Sequence, residues 1–229
     1  MKALTYLADL FYPPLCLSCD RKLMHFERVL CTHCAFQLPK TRFHLKPNNP
    51  IEVLFWGRCE IYSGAALYRY LKKGNVQHLM QNFKYKGLQE IGYYLGEKYG
   101  DDLMESDRFS SVDYIIPVPL HPKKYRKRGF NQSEVFGRGL EKTMAAMLEV
   151  DNLYRKVHTD TQTRKSRWER FKNVESIFGI RDKEKLKSKH LLLVDDVITT
   201  GSTMEACIVK LQEIEDVKIS IAAIATAAH

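Results

Sequence analysis

Two adjacent carboxylates, Asp195 and Asp196, directly follow four apolar residues at 191–194. A strand that is apolar at every position is typical of the centre of a parallel sheet, where both faces are covered. Ligands of open α/β sheets bind beyond the carboxyl ends of such strands. We therefore expect this pair to face a ligand. There the carboxylates would accept hydrogen bonds from vicinal hydroxyls, such as the 2′ and 3′ groups of ribose, and help to position a divalent cation.

The residues that follow have the composition of a phosphate-binding loop, and a helix is predicted after them at 202–214. A glycine allows a tight turn and close approach of the backbone, and N–H groups at the start of a helix attract phosphate. The alternative is a buried strand and a capped helix that bind nothing. Neither GxxxxGK[ST] nor a GxGxxG motif after a strand is present, which argues against a P-loop or dinucleotide site. The predicted phosphate loop consists of Thr199, Thr200, Gly201, Ser202 and Thr203.

Residues 191–203 together resemble the motif of type I phosphoribosyltransferases, which has four apolar residues, two acidic residues and a Thr/Gly/Ser loop. The resemblance implies a site for phosphoribosyl pyrophosphate with Mg²⁺. Asp195 and Asp196, the predicted catalytic pair, would contact the ribose hydroxyls, and 199–203 would bind the 5-phosphate. Loss of pyrophosphate builds positive charge on the sugar ring. Mg²⁺ and basic side chains would neutralise the leaving group, so no histidine or cysteine nucleophile is required.

A donor of this kind also needs a pyrophosphate site, for which a second strand, predicted at 112–118, is the candidate. It leads into a basic loop, predicted at 121–130, and Asn131 is a plausible N-cap for a helix to about residue 148. Basic residues near a helix N-terminus suit pyrophosphate. The alternatives are a solvated charge cluster and a nucleic-acid patch. The residues predicted to bind pyrophosphate are Val118, Arg128, Gly129, Asn131, Gln132 and Ser133.

The polar and basic stretch at 161–173 is predicted to be a long loop. Loops of more than about ten residues without secondary structure are often active-site lids. In the type I enzymes a flexible loop at this chain position closes over the donor. By that resemblance, Arg164, Lys165 and Arg167 would shield the reacting groups from water.

Four of the six cysteines form two CxxC pairs: Cys16 with Cys19, and Cys31 with Cys34. Disulfides are uncommon in the cytosol, so such pairs more often bind a metal. Four thiolates favour tetrahedral Zn²⁺ and leave no open position for catalysis, which predicts a structural zinc. The alternative is a set of redox-active or free thiols.

The chain divides into a predicted zinc-binding module at 1–45, a linker at 46–59 and an α/β domain at 60–229. The module is too short to bury an adequate core without a metal, whereas strands and helices alternate in the domain and predict a parallel sheet with flanking helices. A net charge of +9 attracts anions, either phosphorylated metabolites or nucleic acid. No stretch approaches the ~20 apolar residues of a membrane span, and we predict a cytoplasmic protein.

Three motifs follow the cysteine module in order: PVPLH at 117–121, RGFNQS at 128–133 and VDDVITTGST at 194–203. With these motifs the chain resembles the ComF family, which is linked in several bacteria to natural transformation and DNA uptake. The resemblance implies a zinc ribbon in front of a type I phosphoribosyltransferase-like fold, and a cytoplasmic location. It names no acceptor substrate.

Three hypotheses for function follow, and they can hold together. The first is a pentosyltransferase that uses phosphoribosyl pyrophosphate. The second is a non-catalytic module that senses this ligand or holds single-stranded DNA through basic loops and the aromatic residues Tyr85, Tyr125, Phe130 and Trp168. The third is an adaptor that docks a competence helicase through the zinc ribbon.

Overall fold

The computed structural model describes residues 13–156 and 177–228. Arg164, Lys165 and Arg167, the predicted flexible loop, lie outside these ranges. The described chain contains a five-stranded parallel sheet in the order β1-β7-β6-β2-β3, which confirms the predicted α/β class. Its strands are β1 (Ser63–Arg69), β2 (Tyr114–Pro117), β3 (Met147–Leu148), β6 (His190–Ile198) and β7 (Lys218–Thr226).

The central strand β6 extends further than the sequence predicts. The apolar pattern ends at Val194, but β6 continues to Ile198 because Val197 and Ile198 pair with Ala225 and Thr226 of β7. Asp195 and Asp196 therefore lie within the strand. Because successive side chains of a strand point to opposite faces, the two carboxylates leave the sheet in different directions.

Two shorter strands, β4 (Leu153–Arg155) and β5 (Phe178–Ile180), form an antiparallel ribbon beside the main sheet. Among the described residues, no helix combines the length and the apolar composition needed to cross a bilayer. The helices are α1 (Thr32–Gln37), α2 (Pro50–Phe55), α3 (Asn75–Tyr85), α4 (Gln89–Met104), α5 (Asp107–Ser110), α6 (Pro122–Arg128), α7 (Gln132–Thr143) and α8 (Ser202–Leu211).

The predicted linker at 46–59 carries helix α2. Asn49 caps it by accepting a hydrogen bond from the Ile51 N–H at 2.9 Å, and Pro50 occupies the first helical position, where its missing N–H costs nothing. Ile51 and Phe55 are fully buried in the core of the molecule. The residue types at 47–50, two prolines and two asparagines, favour a turn, yet they lead directly into this helix. The domain boundaries themselves stay a prediction.

The basic segment at 121–130, predicted to be a loop, is largely helix α6. The His121 ring caps the helix by accepting from the Lys123 N–H at 3.1 Å, and Gly129 ends it with a φ of 80°. Lysine and arginine are good helix formers, so the charges do not oppose the helix. Helix α7 is in turn shorter than predicted, because Met147 and Leu148 leave the helix and pair with β2.

Helix α7 is held by close packing against α4. Gly96 of α4 and Gly139 of α7 face each other, and a Cβ atom on Gly96 would lie 2.3 Å from the Phe136 carbonyl oxygen and 2.8 Å from the Gly139 Cα. The two backbones approach so closely that no side chain fits between them. Because α7 begins at Gln132, this contact fixes residues that the sequence assigns to the pyrophosphate site.

We predict that Gly96→Ala destabilises the protein, although alanine favours an isolated helix. Forcing a methyl group against backbone atoms costs about 1–3 kcal/mol, which exceeds the gain in helix propensity of about 1 kcal/mol at most. The free energy of unfolding should be measured in urea. Lys98→Ala, an exposed change in the same helix, is the control and should stay within about 0.5 kcal/mol of the parent. Equal stability of the two variants would contradict this packing.

Candidate functional site

A cavity of about 460 Å³ opens at the carboxyl edge of the sheet, where β2 ends opposite Val194 and β6 continues beyond it. It brings the two predicted motifs into one site. From the first motif it is lined by Asp195, Asp196, Thr199 and Thr203, and from the second by Val118, Arg128, Gln132 and Ser133.

The Asp195 carboxylate joins the two motifs directly. Its Oδ1 atom accepts a hydrogen bond from the Ser133 hydroxyl at 2.8 Å and another from the Asp196 N–H at 2.8 Å. Burial and the neighbouring Asp196 carboxylate raise the pKa of Asp195 above its ordinary value. Two carboxylates that line one cavity favour the approach of a cation or of hydroxyl donors.

Asp196 is held by two cations from different parts of the chain. Lys84 Nζ lies 2.9 Å from Asp196 Oδ1, and Arg128 Nη1 lies 3.9 Å from Oδ2. The sequence predicted Arg128 but not Lys84, because its pattern favours a short helix at 76–83 followed by a basic break at 84–87. Helix α3 instead continues to Tyr85 and carries Lys84 to the cavity.

The predicted phosphate loop surrounds a smaller cavity of about 50 Å³ beside the first. Thr199 and Thr203 line both cavities, whereas Thr200, Gly201 and Ser202 line only the smaller one. Gly201 has a φ of 74°, in the left-handed region that favours glycine, and forms the N-cap of α8. The loop therefore presents backbone and hydroxyl groups at the start of a ten-residue helix.

Two residues that sequence reasoning did not identify support this loop from behind. Arg58 Nη1 donates to the Thr200 carbonyl at 2.8 Å, and the same guanidinium pairs with Glu205 of α8. The Phe55 ring packs so closely under Gly201 that a Cβ there would lie 2.9 Å from it. Both supports come from the segment predicted to be a linker, and no local pattern connects them to the loop.

The pyrophosphate-side residues divide into those that face the cavity and those that hold the backbone. Asn131 caps α7 by accepting from the Ser133 N–H at 3.1 Å and donates its amide to the Val118 carbonyl at 3.1 Å. Arg128 donates to Gln132 Oε1 at 2.6 Å. Gly129 ends α6, and neither it nor Asn131 is among the lining residues.

Further residues complete the cavity wall. Arg155 comes from β4 and lies over the Phe178 ring at 5.4 Å from its centroid. Lys124 adds another cation, and Tyr70 and Tyr85 add aromatic surface. The wall is therefore rich in positive charge around the two carboxylates, which suits a polyanionic ligand that also carries hydroxyl groups.

The four paired cysteines converge at a separate place. The sulfur atoms of Cys16, Cys19, Cys31 and Cys34 all lie within 4.8 Å of one another, and Cys19 Sγ is 3.7 Å from Cys31 Sγ. Tetrahedral zinc with Zn–S bonds of about 2.3 Å requires sulfur–sulfur separations of about 3.8 Å. The cluster is thus of the right size for one such ion.

The C-terminal part of the chain, residues 137–229, matches the family model described as a phosphoribosyl transferase domain. The match includes β6, the predicted phosphate loop and β7. A solved adenine phosphoribosyltransferase superposes with a TM-score of 0.40 at 13% identity, covering 65% of this chain and 75% of the other.

Curated relatives match over most of the chain. Competence protein F of Haemophilus influenzae is 27% identical over 83% of this chain and 80% of its own length. The DNA utilization protein YhgH of Escherichia coli K12 is 26% identical with the same coverage, and Competence protein ComFC of Bacillus subtilis is 24% identical over 83% and 85%. The four-cysteine cluster precedes the matched domain in the present chain.

Over most of its length the chain is similar to these competence and DNA utilization proteins. It combines a C-terminal part that matches the phosphoribosyl transferase domain model, a parallel α/β sheet and a preceding cluster of four cysteines.

Proposed function

We propose that the protein binds phosphoribosyl pyrophosphate with Mg²⁺ at the cavity beside Asp195 and Asp196. The observation that carries the proposal is the convergence of the two predicted motifs on one cavity, through the hydrogen bond from Ser133 to Asp195. The carboxylates would accept hydrogen bonds from the ribose hydroxyls. The loop at 199–203 would bind the 5-phosphate, and Arg128 would face the pyrophosphate.

The donor atoms at the site fit Mg²⁺. This ion takes oxygen ligands and usually binds through one or two carboxylates together with substrate phosphates and water. Asp195 offers a carboxylate at the cavity wall, and a bound pyrophosphate would supply the remaining charge. When bound, Mg²⁺ would neutralise the leaving group.

The same arrangement supports transfer of the phosphoribosyl group to an acceptor. The acceptor nucleophile would form a bond to C1 of the ribose while the bond to pyrophosphate breaks, and pyrophosphate would leave with the electron pair. Arg128 and its cationic neighbours would stabilise that leaving group, and the fixed carboxylates would hold the ring in place. A pentosyltransferase activity is therefore our proposal for the chemistry.

We expect calorimetric titration to show binding of phosphoribosyl pyrophosphate with Mg²⁺ to the parent protein. Asp195→Ala/Asp196→Ala should weaken it by about 100-fold or more, because two charge-assisted hydrogen-bond acceptors are lost. The matched control, Glu90→Ala/Asp101→Ala, removes two exposed carboxylates of α4 and should bind like the parent. Failure of the folded parent to bind would contradict the proposal.

We also propose that the cysteine cluster holds one structural Zn²⁺. Four thiolates of suitable spacing satisfy a closed tetrahedral shell, and the ion would stabilise a module that otherwise has only a small core. In that module Leu23, Val29 and Leu30 are the buried apolar residues between the two CxxC pairs.

Metal analysis is expected to find one zinc ion per chain in the parent and in Cys59→Ser, whose cysteine lies outside the cluster. Cys16→Ser should lose most of the zinc and lower the Tm by roughly 5–10 °C, because metal binding contributes to folding. Four titratable thiols in metal-free parent protein of unchanged Tm would refute the assignment.

A second candidate function, binding of single-stranded DNA, is supported by the surface of α6. None of the residues of this helix is buried, Tyr125 is 50% exposed, and the neighbouring Tyr85 is 64% exposed. Cations beside exposed aromatic rings are the combination that binds single strands. The relatives are named competence and DNA utilization proteins, and we extend such a role to this protein as a proposal.

We predict that Lys123→Gln/Arg126→Gln/Lys127→Gln weakens binding of a labelled single-stranded oligonucleotide in fluorescence anisotropy. The slope of log K against log salt should fall by about 2, because each lost phosphate contact removes about 0.7. The control Lys98→Gln/Lys142→Gln/Lys187→Gln carries the same charge change on other surfaces. Identical slopes for the two variants would rule out α6 as the binding surface.

The hypothesis of a helicase adaptor also stays a proposal. The cysteine module exposes the rings of Phe26 and Phe36 at 76% and 85%, and a docked partner would cover them. A cytoplasmic location likewise stays a prediction.

A further inference from the structure

The two cations that hold Asp196 lie side by side. Lys84 contacts one oxygen of the carboxylate and Arg128 approaches the other, and both side chains are largely buried, at 19% and 12% exposed. The wall of the larger cavity also carries Lys124, Arg155 and Asp195, so four cations face two carboxylates and leave a surplus of positive charge. Such a surplus is costly unless an anion completes the group.

Contacts at the end of α3 place Lys84 on the pyrophosphate side of the site. The Arg128 guanidinium lies over the Tyr85 ring, with its Cζ atom 5.8 Å from the ring centroid. Lys127 Nζ lies 5.7 Å from the same centroid. The end of α3 therefore packs against the end of α6. Lys84 consequently stands beside the predicted pyrophosphate residue Arg128. It shares the larger cavity with Thr199 and Thr203, but it does not line the smaller cavity that the phosphate loop at 199–203 surrounds.

Helix α3 is in turn fixed to the cysteine module. The Asn82 amide donates to the Leu17 carbonyl at 2.8 Å, and His78 Nδ1 lies 3.0 Å from the Ser18 carbonyl oxygen. Both carbonyls belong to the turn between Cys16 and Cys19. Asn82 is buried and stands only two residues before Lys84.

We propose that Lys84 is a further ligand of the pyrophosphate group and that the turn between Cys16 and Cys19 positions it through Asn82. Lys84 is then a binding residue, and Asn82 is a positioning residue that touches no ligand. The inference rests on the proposed donor site. It also gives the cysteine module a role in ligand affinity besides stability.

The first experiment separates the pyrophosphate from the sugar phosphate. Phosphoribosyl pyrophosphate with Mg²⁺, and ribose 5-phosphate alone, are titrated into the parent, Lys84→Gln and the control Lys86→Gln, an exposed lysine at the end of the same helix. Lys84→Gln should weaken phosphoribosyl pyrophosphate binding about tenfold or more, as expected for a lost charge-assisted bond. It should change ribose 5-phosphate binding by no more than about threefold, roughly 0.6 kcal/mol.

Each other outcome has a definite meaning. Equal weakening of both ligands would show that Lys84 acts only through Asp196 and the ribose, which overturns the inference. An affinity equal to that of Lys86→Gln would overturn it as well. If the folded parent binds neither ligand, the proposed donor site fails and the inference fails with it.

The second experiment is a double-mutant cycle for the support by Asn82. Asn82→Ala should weaken phosphoribosyl pyrophosphate binding in the parent but cause no further loss in the Lys84→Gln background, because both changes remove the same interaction. If Asn82→Ala does not fold, His78→Ala replaces it in the cycle, because it removes the contact between His78 and the Ser18 carbonyl of the same turn. The positioning role would be refuted if Asn82→Ala weakened binding by the same factor in both backgrounds, or if it did not weaken binding in the parent.

Discussion

The constraint on which the site depends is the pair of carboxylates at the end of a buried strand. Asp195 and Asp196 lie within β6, where both are partly or fully buried and the charges of the neighbouring carboxylates repel. Such a pair is tolerable only when each member has partners. Ser133 donates a hydrogen bond to Asp195, and Lys84 and Arg128 form ion pairs with Asp196. These contacts hold the segment at 128–133 and helix α3 against the end of β6.

The surrounding helices can be understood as supports for that pair. The contact of Gly96 with Gly139 fixes α7 and thereby Ser133, while Arg58 and Phe55 hold the neighbouring loop from below. None of these supports contributes chemistry of its own. Each one reduces the freedom of a residue that does, which is how a preorganised site lowers the cost of binding an ordered ligand.

The sequence predicted best those features that depend on residues close together in the chain. The apolar run before Asp195, the loop at 199–203 and the CxxC pairs are short stretches whose chemistry depends on near neighbours, and the sheet and the cluster confirm the architecture built on them. Lys84 and Arg58 escaped prediction because their partners are remote in sequence. The prediction of a loop at 121–130 was wrong because a basic composition suits a loop and a helix equally. The cap at His121, which begins the helix, was not recognised from the sequence.

The position of β7 has a consequence for how the chain acquires its fold. This strand lies between β1 and β6, so Ser63 finds its neighbour Ser220 across a separation of 157 residues. Local helices can form early, but β1 has no parallel partner in the sheet until β7 is available. Non-local pairing of this kind slows folding, and chains still being synthesised would expose the apolar edges of β1 and β6 to other molecules.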